Sequence, residues 1–187
     1  MTALPDMTRT APGRLMPISR EQYAQMESLG MFAGRRVELV YGAIIEMNPM
    51  GPRHRAAIRY LNEFFSHTLY GKYHVVPQSP VDGNEYSAPE PDFTIVPRNA
   101  PADTLIDVPL VVEVSDSTLK YDLTTKARLY AETKIPEYWV IDLEARVTHV
   151  HSSPKRGKYT KLRRVQWTTT LHSLSIPELT LKLSEVL

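Results

Sequence analysis

Residues 110–115 read Leu-Val-Val-Glu-Val-Ser, and this stretch decides the fold because its apolar run is almost uninterrupted. A strand with one face in water alternates apolar and polar side chains, whereas a strand covered on both faces does not. A second apolar run, Tyr-Trp-Val-Ile at 138–141, follows a segment in which Asp122 can cap a helix from Leu123 to about Thr133. The order strand, helix, strand predicts a crossover in the middle of a mixed α/β sheet.

The N-terminal half predicts a helix, a hairpin and a longer helix. Ser19 can cap a helix that runs to about Leu29. Two apolar stretches, 37–40 and 43–47, are joined by Tyr-Gly and are typical of a hairpin. Four apolar residues then recur at helical spacing and predict a helix of about four turns against the sheet: Ile58, Leu61, Phe65 and Leu69.

Further strands are expected where short apolar stretches lie between segments rich in Pro, Gly, Asn and Ser. The candidates are 74–78, 92–96, 146–151, 159–162 and 165–167, the last three as short antiparallel strands. The sequence contains no internal repeat. We therefore expect a single domain over 17–187, preceded by a flexible arm over 1–16 that lacks apolar periodicity.

The composition limits the chemistry that the chain can carry. Its 187 residues are 42% hydrophobic and 23% charged, as in an ordinary globular domain with one core. The absence of cysteine excludes disulfides and thiolate metal sites, so Mg²⁺ or Mn²⁺ held by oxygen ligands is the expected metal. No apolar run reaches the roughly 20 residues of a membrane span, and we expect a soluble, cytoplasmic protein.

The net charge and the placement of the basic residues point in opposite directions on DNA binding. A formal net charge of +1 argues mildly against strong non-specific DNA binding. Two basic clusters, one formed by Arg53, Arg55 and Arg59 and the other within 155–164, are nevertheless long enough to line a phosphate groove. The alternative for the second cluster is a solvated charged face.

Glu113 does not fit a simple core. It lies inside the apolar run at 110–115, where an unpaired carboxylate is costly. Such a group raises its pKa and stays neutral, pairs with a cation or binds a metal. A catalytic or metal-binding role, a structural ion pair and an exposed edge position all remain open.

Asp92 has a similar setting at the start of a predicted strand. On that strand Asp92 and Thr94 share one face, and on the next strand Val111 and Glu113 share one face. If the strands are neighbours, the register decides whether the two carboxylates converge into a site suited to Mg²⁺. The alternative is a turn residue at a strand start.

Lys126 lies beside the apolar stripe of the helix that follows, three residues after Leu123 and four before Tyr130. A lysine in this place borders the buried face. It either extends along apolar neighbours to reach solvent or supplies the cation that the two acids need.

Three further positions have weaker indications. Glu38 is an acid on a predicted strand, either a functional group or a partner for Arg35 or Arg36. His54 shares the apolar face of its helix, and it either points toward the sheet as a functional group or is a satisfied histidine at the edge of the core. His149 and His151 share one face of a strand, and this spacing suits a pair of metal ligands. No third ligand lies nearby in the sequence, so a metal-binding role for the two histidines stays open.

An ordered series of motifs runs along the chain. It consists of Arg-Val-Glu-Leu-Val-Tyr-Gly at 36–42, Pro-Asp at 91–92, Glu-Val-Ser-Asp-Ser-Thr at 113–118, Asp122 with Lys126 and Tyr130, and Pro-Glu-Tyr-Trp-Val-Ile-Asp at 136–142. Over roughly 18–187 this series resembles the Uma-type restriction endonuclease family, which belongs to the PD-(D/E)XK nuclease superfamily. The resemblance implies a restriction-endonuclease-like fold, with a mixed central sheet flanked by helices and an N-terminal helix and β-hairpin.

The resemblance also implies roles for individual residues. Asp92 matches the Asp of the Pro-Asp element, and Glu113 matches the second acid. The superfamily usually has lysine two residues later, where this chain has Ser115, and the Uma-type pattern implies Lys126 instead. Glu38 matches an additional acid from the N-terminal part.

The function implied is a Mg²⁺- or Mn²⁺-dependent endonuclease that hydrolyses phosphodiester bonds in DNA. The metal would be held by Asp92, Glu113 and the carbonyl of Val114, while Lys126 acts on the attacking water or the phosphate and Glu38 holds a second metal or its water shell. A homodimer would supply two active sites for two strands. The alternatives are a catalytically silent module that binds nucleic acid or protein, and a small-molecule phosphodiesterase, which would need a closed pocket.

Overall fold

A computed structural model describes residues 15–81, 83–101 and 107–186. The predicted arm over 1–16 falls mostly outside the described residues and stays a prediction, although Leu15 and Met16 are exposed. The helices are α1 (Arg20–Ser28), α2 (Pro52–Thr68), α3 (Leu119–Tyr121) and α4 (Ala127–Glu132), with a π-helical turn at Asp122–Lys126 and a 3-10 turn at Leu183–Glu185. The strands are β1 (Val37–Val40), β2 (Ala43–Glu46), β3 (Tyr73–Pro77), β4 (Phe93–Pro97), β5 (Leu110–Ser115), β6 (Glu137–Asp142), β7 (Val147–Lys155), β8 (Lys158–Gln166), β9 (Thr170–His172) and β10 (Thr180–Lys182).

The central sheet has six strands within the described part of the chain, in the order β3-β4-β5-β6-β7-β8. β5 and β6 are parallel and joined by the helical segment, whereas the other neighbours are antiparallel. Every residue of β5 and of β6 is buried, as expected for strands covered on both faces. The predicted mixed α/β sheet flanked by helices is confirmed.

A separate apolar core lies on each face of the sheet. On one face α2 inserts Phe65, whose ring packs edge to face on Phe93 of β4 with 5.4 Å between centroids. On the other face α4 places Tyr130 against Tyr138 of β6, with 4.9 Å between centroids. Among the helices of the described ranges, none is long and apolar enough to cross a membrane.

The N-terminal helix and hairpin form as the sequence predicts. Ser19 caps α1 in a reciprocal pair of hydrogen bonds with Gln22, which satisfies backbone donors at the helix start. β1 and β2 form an antiparallel hairpin, and both turn residues, Tyr41 and Gly42, have positive φ as a tight hairpin turn requires. This hairpin places β1, with Glu38, beside the helical segment that follows β5.

Two local predictions are wrong. Asp122 does not cap a helix, because the helical segment already begins at Leu119 and Asp122 opens the π-helical turn inside it. Its carboxylate Oδ2 accepts a 2.6 Å hydrogen bond from the Thr118 hydroxyl. The stretches predicted as separate strands at 159–162 and 165–167 instead belong to one strand, β8, which ends at Gln166; its exposed polar side chains hide the strand pattern.

Candidate active site

The two predicted acids meet because the register between β4 and β5 brings them together. Phe93 pairs with Val112, so Asp92, one residue before β4, lies beside Glu113. The Asp92 N–H donates to Glu113 Oε2 at 3.3 Å, and the Val114 N–H donates to Asp92 Oδ2 at 2.8 Å. Both carboxylates are nearly inaccessible, with Asp92 6% and Glu113 5% exposed.

Lys126 lies against Glu113 rather than extending to solvent. It is 2% exposed, and its Nζ lies 2.8 Å from Glu113 Oε1. The Tyr130 hydroxyl donates to the same oxygen at 2.9 Å. The π-helical turn that ends at Lys126 carries both Asp122 and Lys126 into buried positions, and such turns occur often at functional sites.

Glu38 is the second carboxylate at this lysine. Its Oε2 lies 3.1 Å from Lys126 Nζ, while its Oε1 accepts from the Tyr121 hydroxyl at 3.1 Å. The structural reading of Glu38 as a partner for Arg35 or Arg36 is therefore wrong, and Arg35 lies instead 3.9 Å from an oxygen of Glu46. The strand β1 thus carries an acid to a site formed mainly by residues much later in the chain.

The charges of the site are strongly perturbed. Burial raises the pKa of Glu113 to about 8, with Lys126 opposing the rise and the negative Asp92 adding to it. Burial lowers the pKa of Lys126, but the Glu113 and Glu38 carboxylates outweigh that effect and hold it above the ordinary lysine value. Lys126 is therefore a cation at neutral pH, and Glu113 retains its proton more readily than an exposed glutamate.

The acids line a cavity of about 70 Å³. His54, at the start of α2, also lines it, and its Nε2 lies 3.2 Å from Asp92 Oδ1. The sequence had placed His54 on the face of α2 directed at the sheet, but its contact with Asp92 depends on tertiary packing. Asp116 and Asp122 line the cavity too, and their positions in the motifs were the signal that could have pointed to them.

The other candidate positions lie apart from this cavity. His149 and His151 occupy β7, where His149 Nε2 is 3.9 Å from Asp142 Oδ2 and His151 packs on Tyr138. Over the described ranges, no group of three or more His, Asp or Glu side chains is arranged to hold a metal ion. The basic cluster at 155–164 lies mainly on β8, which is largely exposed.

The first basic cluster is only partly directed at the cavity. Arg53 Nη1 lies 3.7 Å from Asp116 Oδ1, and the guanidinium also donates to the carbonyl of Leu143. Arg55 donates to the carbonyl of Met50. Arg53 is thus held at the margin of the cavity by contacts within the protein.

A mixed sheet with two acids meeting on adjacent strands and a buried lysine beside them defines a restriction-endonuclease-like protein of the nuclease class. The sequence model of the Uma2 family, described as "Putative restriction endonuclease", matches residues 20–184, and the chain belongs to this family. The resemblance seen in the motifs is confirmed.

One solved structure extends this comparison to the whole fold. A crystal structure described as that of "a putative nuclease" from Anabaena variabilis ATCC 29413 is similar to this chain with a TM-score of 0.72. The similarity covers 91% of this chain and 97% of the other at 14% identity, so it establishes the shared fold alone. No curated protein matches the chain.

Proposed function

We propose that this chain is an endonuclease that hydrolyses phosphodiester bonds in DNA with Mg²⁺ or Mn²⁺. The observation that carries the proposal is the meeting of Asp92, Glu113 and Lys126 at one cavity, from three separate elements. Buried acids with perturbed pKa values beside a buried cation are typical of catalytic sites. A core position has no need of this combination, since apolar residues of similar size would cost less to bury.

The donor set fits a hard divalent cation. Asp92 and Glu113 offer carboxylate oxygens, and the carbonyl of Val114 is the third protein ligand of the proposal. Mg²⁺ is commonly held by one or two carboxylates and completes its shell with water and substrate phosphate, so a cage of three acidic side chains is not required. When bound, such an ion acts as a Lewis acid that stabilises the charge developing on the phosphate.

The protein's own residues hold this site in place. Lys126 and Tyr130 both donate to Glu113 Oε1, which fixes the carboxylate and directs Oε2 toward Asp92. The Val114 N–H fixes Asp92 Oδ2, and His54 contacts the other oxygen. Rigid placement of reacting groups lowers the barrier without further reorganisation.

Lys126 is the proposed catalytic cation. Its charge is maintained by Glu113 and Glu38, so it can orient an attacking water or stabilise the negative phosphate. Glu38 is assigned a positioning role, because it acts on Lys126. The family pattern adds the expectation that Glu38 holds a second metal or its water shell. Tyr121 in turn fixes Glu38 Oε1.

Cleavage of plasmid, linear duplex and single-stranded DNA tests the proposal. Wild-type protein is incubated with Mg²⁺, Mn²⁺ or EDTA, beside Asp92→Asn, Glu113→Gln and a matched control, Glu144→Gln, in which the acid is exposed. We expect wild type and the control to cleave at least one of these DNAs only with metal, and the two site variants to lose at least about 100-fold in rate on it. Site variants that keep their circular dichroism spectrum and still cleave at the wild-type rate would refute the assignment.

The alternative functions give different outcomes in the same assay. Metal-dependent hydrolysis of a synthetic phosphodiester without cleavage of any DNA would identify a small-molecule phosphodiesterase, a reading that the recessed cavity favours. Metal binding without hydrolysis of either substrate would identify a silent binding module. A homodimer belongs to the proposal only if both strands of a duplex are cut.

A further inference from the structure

The cavity at Asp92 and Glu113 is closed on one side by two loops that touch. A Cβ atom placed on Gly51 would lie 3.3 Å from Asp116 Oδ2, so the Asp116 carboxylate packs close to the Gly51 backbone. Arg53 reinforces this contact with Nη1 3.7 Å from Asp116 Oδ1. A phosphate that approaches across the Gly51–Asp116 contact therefore meets the negative Asp116 carboxylate, which disfavours this side as an entrance.

On another side the cavity adjoins a larger groove. The groove has a volume of about 470 Å³. It lies directly beside the cavity, because the two spaces share four lining residues: Met47, Asn48, Ser117 and Thr118. A strand held in the groove would therefore lie next to the acids.

The groove has the chemistry of a nucleotide site. Lys120 supplies an exposed ammonium group, and Ser117 and Thr125 supply hydroxyls, whereas the Thr124 hydroxyl donates to the Lys120 carbonyl at 2.6 Å. Its one acidic lining residue, Glu46, has an oxygen 3.9 Å from the Arg35 guanidinium. An ammonium group together with hydroxyls suits a sugar–phosphate unit, since phosphate is bound through charge and hydrogen-bond donors.

We propose that this groove binds the nucleotide next to the scissile phosphate, and that the substrate of the site is an unpaired DNA strand. The inference rests on the proposed nuclease function. In a duplex each backbone is accompanied by its partner strand, whereas the groove and cavity here are bounded by the loop at 47–51 and the loop at 116–118. The acids behind these loops are at most 6% exposed, so the reacting strand has to leave its partner to reach them.

One consequence concerns oligomeric state. Cutting an unpaired strand needs one active site, so a monomer suffices. The near-neutral charge of the chain also agrees with a substrate held in a groove, because the strong, extended positive surface of a duplex-binding protein is not required.

The first test is binding, measured by fluorescence anisotropy with a short fluorescein-labelled single strand and the matched blunt duplex, with Ca²⁺ as the hard cation. Wild type is compared with Lys120→Ala and with a matched control, Lys182→Ala, in which an exposed lysine of β10 is removed. We expect the single strand to bind at least about tenfold more tightly than the duplex, which corresponds to about 1.4 kcal/mol. Equal binding of both probes would overturn the inference.

The salt dependence isolates the groove itself. Between about 50 and 200 mM salt, loss of one phosphate contact to a single strand lowers the slope of log K against log salt by about 0.7. We expect this change for Lys120→Ala and no change for Lys182→Ala. An unchanged slope in Lys120→Ala would remove the groove from the binding site.

The second test is cleavage of a duplex with an unpaired flap beside the same duplex without it. Cleavage confined to the flap supports the inference. Equal cleavage of the intact duplex overturns it and leaves the nuclease function standing. Single-strand binding that depends on Lys120, without cleavage of any DNA with any metal, refutes the nuclease function and leaves the groove assignment standing.

Discussion

Removal of the buried Lys126 cation should destabilise the fold by about 3 kcal/mol. In Lys126→Met the methionine retains much of the apolar stem, but Glu113 and Glu38 lose the charge that lies 2.8 and 3.1 Å from their oxygens. Removing one partner from a buried ion pair typically costs about 3–5 kcal/mol. The lower end is expected because Glu113, whose pKa burial raises to about 8, is largely protonated at neutral pH and loses little when the cation is removed, which leaves Glu38 as the main unpaired acid.

Urea unfolding followed by circular dichroism measures this loss. With a slope of about 2 kcal/mol per molar urea, the midpoint should fall by about 1.5 M at neutral pH. The matched control is Lys72→Met, which removes an exposed lysine 3.0 Å from Glu178 and should change stability by less than about 1 kcal/mol. A second variant, Lys126→Met with Glu38→Gln, should recover part of the loss because one unpaired charge is gone.

The pH dependence of the loss has a definite sign. Without Lys126 the pKa of folded Glu113 rises further above its unfolded value, and a carboxyl raised in this way is stabilising at low pH and loses that contribution as pH rises. The deficit of Lys126→Met should therefore change little between pH 5 and 7 and grow as pH rises through about 8, the pKa of Glu113 in the folded wild type. A loss under about 1 kcal/mol at every pH would refute the view that the two buried acids depend on this lysine.

Four further changes test separate parts of the molecule. Burial lowers the pKa of His151 to about 4, so the free energy of unfolding should fall as pH drops from 6.5 toward 4. In urea unfolding between pH 7 and 5, wild type should lose about 1 kcal/mol more than His151→Gln, a figure reduced for the solvent that reaches the ring. Phe65→Ala should cost about 4 kcal/mol in the same assay, because the ring is fully buried. Gly42→Ala should lower the thermal midpoint, since φ is 79° and the new Cβ would lie 2.3 Å from Pro17 Cβ; an unchanged midpoint would mean that the turn adapts. Saturation with Mg²⁺ at about 100 times its Kd should stabilise wild type by about 2.7 kcal/mol, an effect that EDTA removes and Glu113→Gln lacks.

Much of the fold could be predicted because short-range sequence patterns, such as apolar runs, helical spacing and helix caps, determine it. The unbroken apolar run of β5 predicts a strand covered on both faces, and its bounds match the structure. The cap at Ser19 and the helical spacing of α2 likewise depend only on residues a few positions apart. β8 was predicted as two shorter pieces because an exposed edge strand needs little apolar patterning and takes its definition from pairing with β7.

The sequence by itself determined which charged residues lie in apolar surroundings: Asp92 and Glu113 on or beside apolar strands, and Lys126 beside the apolar stripe of a helix. Only the tertiary structure decided what they meet. The register between β4 and β5 joined the two acids, and a shift by one residue would have turned their side chains apart. Glu38 contacts Lys126, which lies 88 positions later in the chain, and the π-helical turn places the lysine in a buried position. Such contacts depend on how distant elements pack, and no periodicity along the chain encodes that.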